Sequence, residues 1–156
     1  VGSGAIRSYS LGPVVHYADL VECLPYDDAV YMLKVTGAQL ERMLRHVLRD
    51  EAFQGEHTEF YQFSHGMHIV WSRSAQTFRT LTLDGEALYA DRLYTVAMQK
   101  YHYNNLKAFL NITLEEAEEN GRTRVLSTSA RDVVEEYLMV NQHLNRRVEG
   151  RLVVED

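Results

Sequence analysis

Apolar residues follow two spacings along the chain, one typical of helices and one typical of strands. The helical spacing is clearest between positions 37 and 48, at Leu40, Met43, Leu44, Val47 and Leu48. Residues three and four positions apart share one face of a helix. Thr36 precedes this segment and Gln39 stands three positions later, which forms a Thr-x-x-Gln capping box. We therefore predict an amphipathic helix that begins after Thr36.

The other predicted elements are shorter. Segments rich in β-branched and aromatic residues predict strands at 29–35, 60–64, 66–72, 78–83, 93–101 and 148–154. Further helices are predicted at 17–24, 104–110 and 129–144, and after a second capping box at Thr113 to Glu116. The polar segment 50–59 is predicted to be a loop. Helices and strands interleave irregularly, without the β-α-β rhythm of a parallel sheet, so we predict one α+β domain over residues 1–156.

Composition narrows the classes of function. A chain of 156 residues has the length of a single domain. Its formal charge of −6 argues against nonspecific nucleic-acid binding, which depends on neutralising phosphates with basic residues. No apolar run reaches the roughly 18 residues that cross a bilayer, so no membrane partner is predicted. The single cysteine, Cys23, excludes an internal disulfide and leaves the compartment open.

Two aromatic residues fall on strand faces that are otherwise polar. Alternate residues of a strand point to opposite sides, so Phe60 shares its face with Gln62 and Ser64. By the same rule Tyr101 lies opposite the apolar face of its strand, with Thr95, Ala97 and Gln99. Such rings are surface residues, interface residues, or two plates that hold a flat ligand between them.

The chain begins with small residues followed by an arginine. The segment Gly2-Ser3-Gly4-Ala5 has little or no side chain, which allows its backbone to approach another molecule closely. Arg7 adds a planar, permanently charged group that suits carboxylate or phosphate oxygens. The pattern fits a ligand-facing loop, and it also fits a turn that enters a strand with Arg7 in solvent.

No complete catalytic set is present in the sequence. The closest histidines, His65 and His68, are three positions apart and would point to opposite sides of a strand, so we predict titrating surface residues and no metal site. No P-loop, no marked nucleophile and no two-metal ligand motif occurs. Without such a set, the sequence predicts a domain that binds a ligand or has a structural role, and that catalyses no reaction by itself.

Five motifs in order carry a family resemblance. They are Gly-Ser-Gly-Ala-Ile-Arg at 2–7, Asp-Leu at 19–20 with Leu-Pro-Tyr-Asp-Asp at 24–28, Val-Thr-Gly-Ala-Gln-Leu at 35–40, Phe-Tyr-Gln-Phe-Ser at 60–64 and Tyr-Thr-Val-Ala at 94–97. Together they resemble the C-terminal domain of the 5'-nucleotidase family of metallophosphoesterases. The similarity runs from residue 2 to about residue 110, and more loosely to Gly150 and Arg151.

The resemblance implies a division of labour between two domains. An N-terminal domain of the same polypeptide, which lies outside this chain, would carry two divalent metals and the catalytic His–Asp pair. The C-terminal domain would recognise the nucleotide and then deliver its phosphate by rotation. The family's substrate-contacting arginine corresponds to Arg7, and its two base-stacking aromatics correspond to Phe60 and Tyr101. No catalytic residue, metal ligand or cofactor is thereby assigned to this chain.

The sequence also departs from the family pattern. Gly2 stands where the family usually has Asn, and Asn104-Asn105-Leu106-Lys107 replaces an Asn-Gly-Gly-Asp-like loop whose acid holds the ribose hydroxyls. Lysine accepts no hydrogen bonds and does not replace that acid. Asn104 remains a candidate polar contact, with a helix cap as the alternative. The departures also fit a decayed pocket that serves as a protein-interaction or structural module.

Overall fold

The computed structural model describes residues 1–54 and 59–156. Within these residues the strands are β1 (Val30–Thr36), β2 (Met67–Ser72), β3 (Thr77–Leu83), β4 (Glu86–Ala87), β5 (Leu93–Gln99), β6 (Arg124–Ser127) and β7 (Leu152–Glu155). They form two sheets. In the first sheet β1 lies between β5 and β6, and both pairings are antiparallel.

The second sheet has the order β4-β3-β2-β7. Here β2 pairs antiparallel with β3 and parallel with β7. Asp84 and Gly85 join β3 to β4 with φ values of 53° and 82°. A two-residue hairpin turn with positive φ at both positions matches the twist of the strands, and Asp-Gly suits it. The second sheet is therefore mixed and the first is antiparallel, which is compatible with an α+β domain.

The helices of the described residues surround these sheets. They are α1 (Tyr17–Cys23), α2 (Gly37–Val47), α3 (Lys100–Asn104), α4 (Leu106–Leu110), α5 (Leu114–Glu118) and α6 (Ala130–Val140), with short 3-10 turns at Ser3–Ala5 and Asp50–Phe53. Among them no helix has both the length and the apolar character needed to cross a bilayer. Both predicted capping boxes form: Gln39 N donates to Thr36 Oγ1 at 3.2 Å and Glu116 N donates to Thr113 Oγ1 at 3.2 Å.

The core lies between α2 and the two sheets. Its most buried members include Leu33 and Val35 from β1, and Ile69 and Trp71 from β2, each at most 1% exposed. The apolar stripe of α2 packs against them through residues that include Met43, Leu44 and Val47. Full burial of one such side chain contributes about 1.5–3 kcal/mol, so this stripe is the main contribution of α2 to the fold.

Most predicted elements are confirmed, and two strand predictions are wrong at the positions that matter for the site. Among residues 1–54 and 59–156, the segment 60–64 pairs only through one bridge, between Tyr61 and Gly2. β5 ends at Gln99, and the chain turns directly into α3, so the segment around Tyr101 is helical. The cause is that its partner β1 begins at Val30, opposite Gln99, which leaves no strand residue to pair beyond that point.

Three further differences are smaller. The sequence pattern missed β4 and β6, which are short strands without apolar alternation. The predicted helix at 129–144 ends at Val140. Positions 55–58 of the predicted loop at 50–59 lie outside the described residues, while Asp50–Phe53 forms the 3-10 turn.

Candidate functional site

A polar cavity of about 900 Å³ lies where the turn Ser3–Ala5, the segment after α1 and the start of α3 meet. Its charged lining residues are Arg7, Asp28, Glu59 and Lys100. Three of the four predicted contact residues, Arg7, Tyr101 and Asn104, line this polar cavity. Phe60, the fourth, is not among its lining residues. The structure thus brings together side chains from distant parts of the chain.

Arg7 is held in place by its backbone and by a tyrosine. Its N–H donates to Cys23 O at 2.8 Å, which ties it to the end of α1. Its guanidinium carbon lies 5.3 Å from the centre of the Tyr26 ring, and Nη2 is 3.4 Å from the Tyr26 hydroxyl. No carboxylate of the described residues lies within 4.0 Å of this guanidinium. Such a group is available to an anionic ligand.

Tyr101 projects from the first turn of α3. Its backbone N–H donates to Asp28 Oδ2 at 3.3 Å, which caps the helix start. The ring is 54% exposed, and its centre lies 5.4 Å from that of Phe109 with a tilt of 40°. The ring is therefore supported by Phe109 and by His102, whose ring it meets edge to face at 5.5 Å. The strand-face argument fails for Tyr101 because the residue is helical, but the predicted exposure is confirmed.

Phe60 is fixed through its backbone to the small-residue turn. Ser3 N donates to Phe60 O at 2.7 Å, and Phe60 N donates to Ser3 Oγ at 3.2 Å. Its ring is 48% exposed and meets Phe53 edge to face at 5.7 Å. Along 60–64 the exposed and partly buried residues alternate as the pattern predicts. Phe60 is thus an exposed ring that borders the turn lining the polar cavity.

The side-chain hydrogen bond at this helix end comes from Asn105 and not from Asn104. Asn105, one position later, makes the local bond, with Nδ2 donating to Tyr101 O at 2.8 Å. Asn104 is exposed and lines the polar cavity. Lys107 does not line it, because its Nζ donates to Asn111 Oδ1 at 3.2 Å. The residue that departs most from the family loop is therefore directed away from the polar cavity.

A buried histidine and a glutamate, both missed by the sequence analysis, form one wall of the polar cavity. His102 is 3% exposed, and its Nε2 lies 2.9 Å from Glu59 Oε2. Glu59 Oε1 accepts from Gly4 N at 3.2 Å. A Cβ placed on Gly2 would lie 1.9 Å from Glu59 Oε1 and 2.8 Å from His102 Nε2. The glycine at position 2 therefore makes room for the glutamate carboxylate.

An apolar cavity of about 500 Å³ lies on the other side of His102, between α2, β5 and the segment 61–64. Tyr61 contributes a hydroxyl that is buried without a hydrogen-bond partner among the described residues. Burial raises the pKa of this hydroxyl, with the charge of Glu59 adding to the effect. His102 lines both cavities, and its ring meets Tyr61 edge to face at 5.3 Å.

Metal-ligating residues do not cluster within the part of the chain that the structure describes. In residues 1–54 and 59–156 no group of three His, Cys, Asp or Glu side chains is arranged to hold a metal ion. The side chain of His65 is 82% exposed and lies 3.1 Å from Glu149, while His68 is exposed on β2. These residues do not fit a two-metal centre.

Comparison with solved structures shows where this fold occurs. The fold is similar to a 5'-nucleotidase precursor from Thermus thermophilus, with a TM-score of 0.76 and 16% identity over 99% of this chain. It is also similar to the NAD nucleotidase NadN of Haemophilus influenzae, with a TM-score of 0.74 and 10% identity over 99% of this chain. The chain spans 31% and 29% of those two structures. It therefore corresponds to under a third of each.

A third solved structure agrees with the first two. A putative 5'-nucleotidase from Staphylococcus aureus, in complex with alpha-ketoglutarate, has a TM-score of 0.62 and 14% identity over 97% of this chain and 32% of its own. The sequence matches none of the curated proteins with which it was compared. The model of the family "5'-nucleotidase, C-terminal domain" matches residues 1–112, which is more than half of the chain. The chain belongs to the 5'-nucleotidase C-terminal domain family.

Proposed function

We propose that this domain recognises the nucleotide or nucleoside part of the substrate of a 5'-nucleotidase-like, metal-dependent phosphohydrolase. The observation that carries the proposal is the polar cavity, which is lined by three of the contact residues predicted from the sequence, Arg7, Tyr101 and Asn104. Family membership supports the same role. The ligand is a small molecule with a flat ring and an anionic group.

In this proposal Tyr101 and Phe60 hold the base between them. Both rings are about half exposed, so neither is sealed inside the fold. A base stacked on an aromatic ring contributes about 1–3 kcal/mol, and the contact tolerates different bases because each has a π face. Arg7 contacts the anionic part of the ligand and Asn104 provides a polar contact. Phe60 closes over the base from the edge of the polar cavity.

The chemical step belongs to another part of the polypeptide. We propose that an N-terminal metallophosphoesterase domain, outside this chain, holds two divalent metals. Paired metals of this kind supply an activated water and stabilise charge on the attacking and leaving oxygens. The present domain binds the nucleotide and orients its phosphate toward that centre, which contributes to the rate only where the activated water is present. The isolated chain is therefore expected to hydrolyse no phosphate ester, even with divalent metals added.

A titration of the chain with nucleosides and nucleotides tests the binding role. Adenosine and AMP are added while NMR shifts of the Tyr101 and Phe109 ring protons are followed. We expect saturable binding. Tyr101→Ala is expected to weaken it by about 10–100-fold, and Phe60→Ala is expected to weaken it as well, because each variant removes one stacking contact. Tyr89→Ala is the matched control, because Tyr89 is 59% exposed and does not line the polar cavity.

A second candidate function is supported by a separate surface. Apolar side chains are exposed on β6 and α6, including Leu126 at 55%, Met139 at 66% and Val140 at 84%. A surface of this kind suits a protein-interaction module with a decayed pocket. Absence of any ring-proton shift at millimolar adenosine or AMP would contradict nucleotide recognition and favour this alternative.

A further inference from the structure

Glu59 presents an oriented carboxylate to the polar cavity. Its side chain is 19% exposed, and the His102 side chain that holds it is 4% exposed. Because the carboxylate accepts, His102 Nε2 carries the proton and donates to Oε2 at 2.9 Å. Oε1 is fixed by Gly4 N at 3.2 Å. Both oxygens are therefore held by partners from two separate segments of the chain.

This carboxylate has acceptor capacity left. A carboxylate offers about four acceptor positions, two on each oxygen. The contacts with His102 and Gly4 use one position on each oxygen within residues 1–54 and 59–156. A held carboxylate in a cavity wall is a strong acceptor for a ligand hydroxyl or amine, because its orientation is fixed before the ligand arrives.

Other residues of this region are less suited to accept from a ligand. Lys107 donates to Asn111 and does not line the polar cavity. Asp28, the other carboxylate of the polar cavity, accepts from Tyr101 N through Oδ2, whereas Glu59 is oriented through both of its oxygens. The space that a side chain at position 2 would fill is taken by the Glu59 carboxylate. Glu59 is thus the acceptor that occupies the space beside Gly2, a residue without a side chain.

We propose that Glu59, positioned by His102, accepts hydrogen bonds from a donor group of the bound nucleoside and so determines which nucleosides bind. The donor is a sugar hydroxyl or an exocyclic amine of the base, since both offer the same N–H or O–H chemistry to a carboxylate. This inference rests on the proposed function, because it assigns a contact within the same site. Glu59 acts as a selectivity residue and His102 as its positioning residue.

Three ligands and three proteins test the inference. The wild-type chain, Glu59→Gln and the control Glu118→Gln are titrated with adenosine, 2′,3′-dideoxyadenosine and purine riboside, and the Kd ratios are compared. Glu118 is an exposed glutamate of α5 outside the polar cavity. We expect wild type and Glu118→Gln to bind adenosine about tenfold more tightly than at least one analogue, as for a hydrogen bond to a charged group. In Glu59→Gln that preference falls to within about twofold.

The pattern of losses identifies the donor. If Glu59→Gln loses the preference for adenosine over dideoxyadenosine, the donor to Glu59 is a sugar hydroxyl. If it loses the preference for adenosine over purine riboside, the donor is the exocyclic amine. The amide signal of Gly4 is a second readout that needs no variant, because Gly4 N–H donates to Glu59. We expect adenosine to shift this signal more than the discriminated analogue does.

The outcomes separate this inference from the proposed function. An unchanged preference in Glu59→Gln overturns the inference while saturable, Tyr101-dependent binding still supports nucleotide recognition. Equal affinity of the wild-type chain for all three nucleosides overturns it as well, whether or not Glu59→Gln folds. No binding of any nucleoside by the wild-type chain overturns both.

Discussion

The polar cavity and the apolar cavity lie on opposite sides of His102 and are built in different ways. The polar cavity is lined by charged side chains from loops and helix starts, among them Arg7 and Asp28. The apolar cavity is lined by core side chains of α2 and β5, among them Leu44 and Met98. The proposed ligand recognition and the packing of the core therefore involve neighbouring but largely separate sets of residues. His102 belongs to both.

The largest expected effect removes a core side chain beside the apolar cavity. Leu44 is 4% exposed, and Leu44→Ala deletes buried methyl groups and enlarges the cavity. We expect the free energy of unfolding to fall by about 2–5 kcal/mol. Chemical denaturation measures it, and Glu41→Ala on the same helix, at a partly exposed position, provides the control. If the two cavities are independent, Leu44→Ala leaves the relative affinities for adenosine and its analogues unchanged. A changed affinity ratio would contradict that independence.

A methyl group at position 2 tests the wall that both cavities share. The backbone at Gly2 has φ −74° and ψ 146°, which alanine adopts without strain. The new methyl group would instead displace the Glu59 carboxylate and break its bonds to His102 and Gly4. We expect Gly2→Ala to lower the free energy of unfolding by about 1–3 kcal/mol.

The double variant sharpens this test. If Gly2→Ala acts through Glu59, then Gly2→Ala combined with Glu59→Gln destabilises less than the sum of the single effects. Thermal or chemical unfolding of the four proteins of the cycle measures the coupling. Strict additivity would show that the methyl group acts elsewhere.

The smallest expected effect concerns the hydroxyl of Tyr61. Because this group is buried without a partner among the described residues, Tyr61→Phe is expected to change the free energy of unfolding by about 1 kcal/mol or less, in the stabilising direction. Nucleoside affinity is expected to remain unchanged, because Tyr61 lines only the apolar cavity of the two. A loss of affinity in Tyr61→Phe would show that the cavities are coupled.

The same variant has an expected pH dependence. Burial raises the pKa of Tyr61 above its ordinary value of 10.0. Above pH 10.0 the unfolded chain releases the hydroxyl proton of Tyr61, while the folded chain retains it. The free energy of unfolding therefore falls as the pH rises through this range. Well below that pH both states hold the proton and this group contributes no pH dependence. We expect the difference in stability between wild type and Tyr61→Phe to change only under alkaline conditions, as measured by urea unfolding across a pH series.

Local signals in the sequence predicted the helices well. The stripe of α2 and its Thr36–Gln39 capping box lie within one short segment, so the sequence contains both the reason for the helix and its starting point. The same holds for α5. Strand pairing depends on distant segments, and this is where the pattern was insufficient. Residues 60–64 alternate in exposure as predicted, yet their neighbour Gly2 forms only one bridge with them.

The candidate site, like the fold, was predicted from the sequence only in part. The family resemblance predicted Arg7 and Tyr101, and Asn104 was a candidate within the loop that departs from the family pattern. The fold brings all three to the polar cavity. Their roles in binding remain predictions. The contact between Glu59 and His102 joins side chains 43 positions apart, and neither residue carries a local pattern. The one signal that pointed toward this pair was the glycine at position 2.

The space shared by Gly2 and Glu59 makes the residues allowed at these two positions depend on each other. A side chain at position 2 and a carboxylate in the observed place at position 59 exclude each other, because both would occupy the same volume. Relatives with asparagine at the first position are therefore expected to lack a glutamate oriented in this way. The two positions should covary, and either residue alone would indicate which polar group the binding site offers.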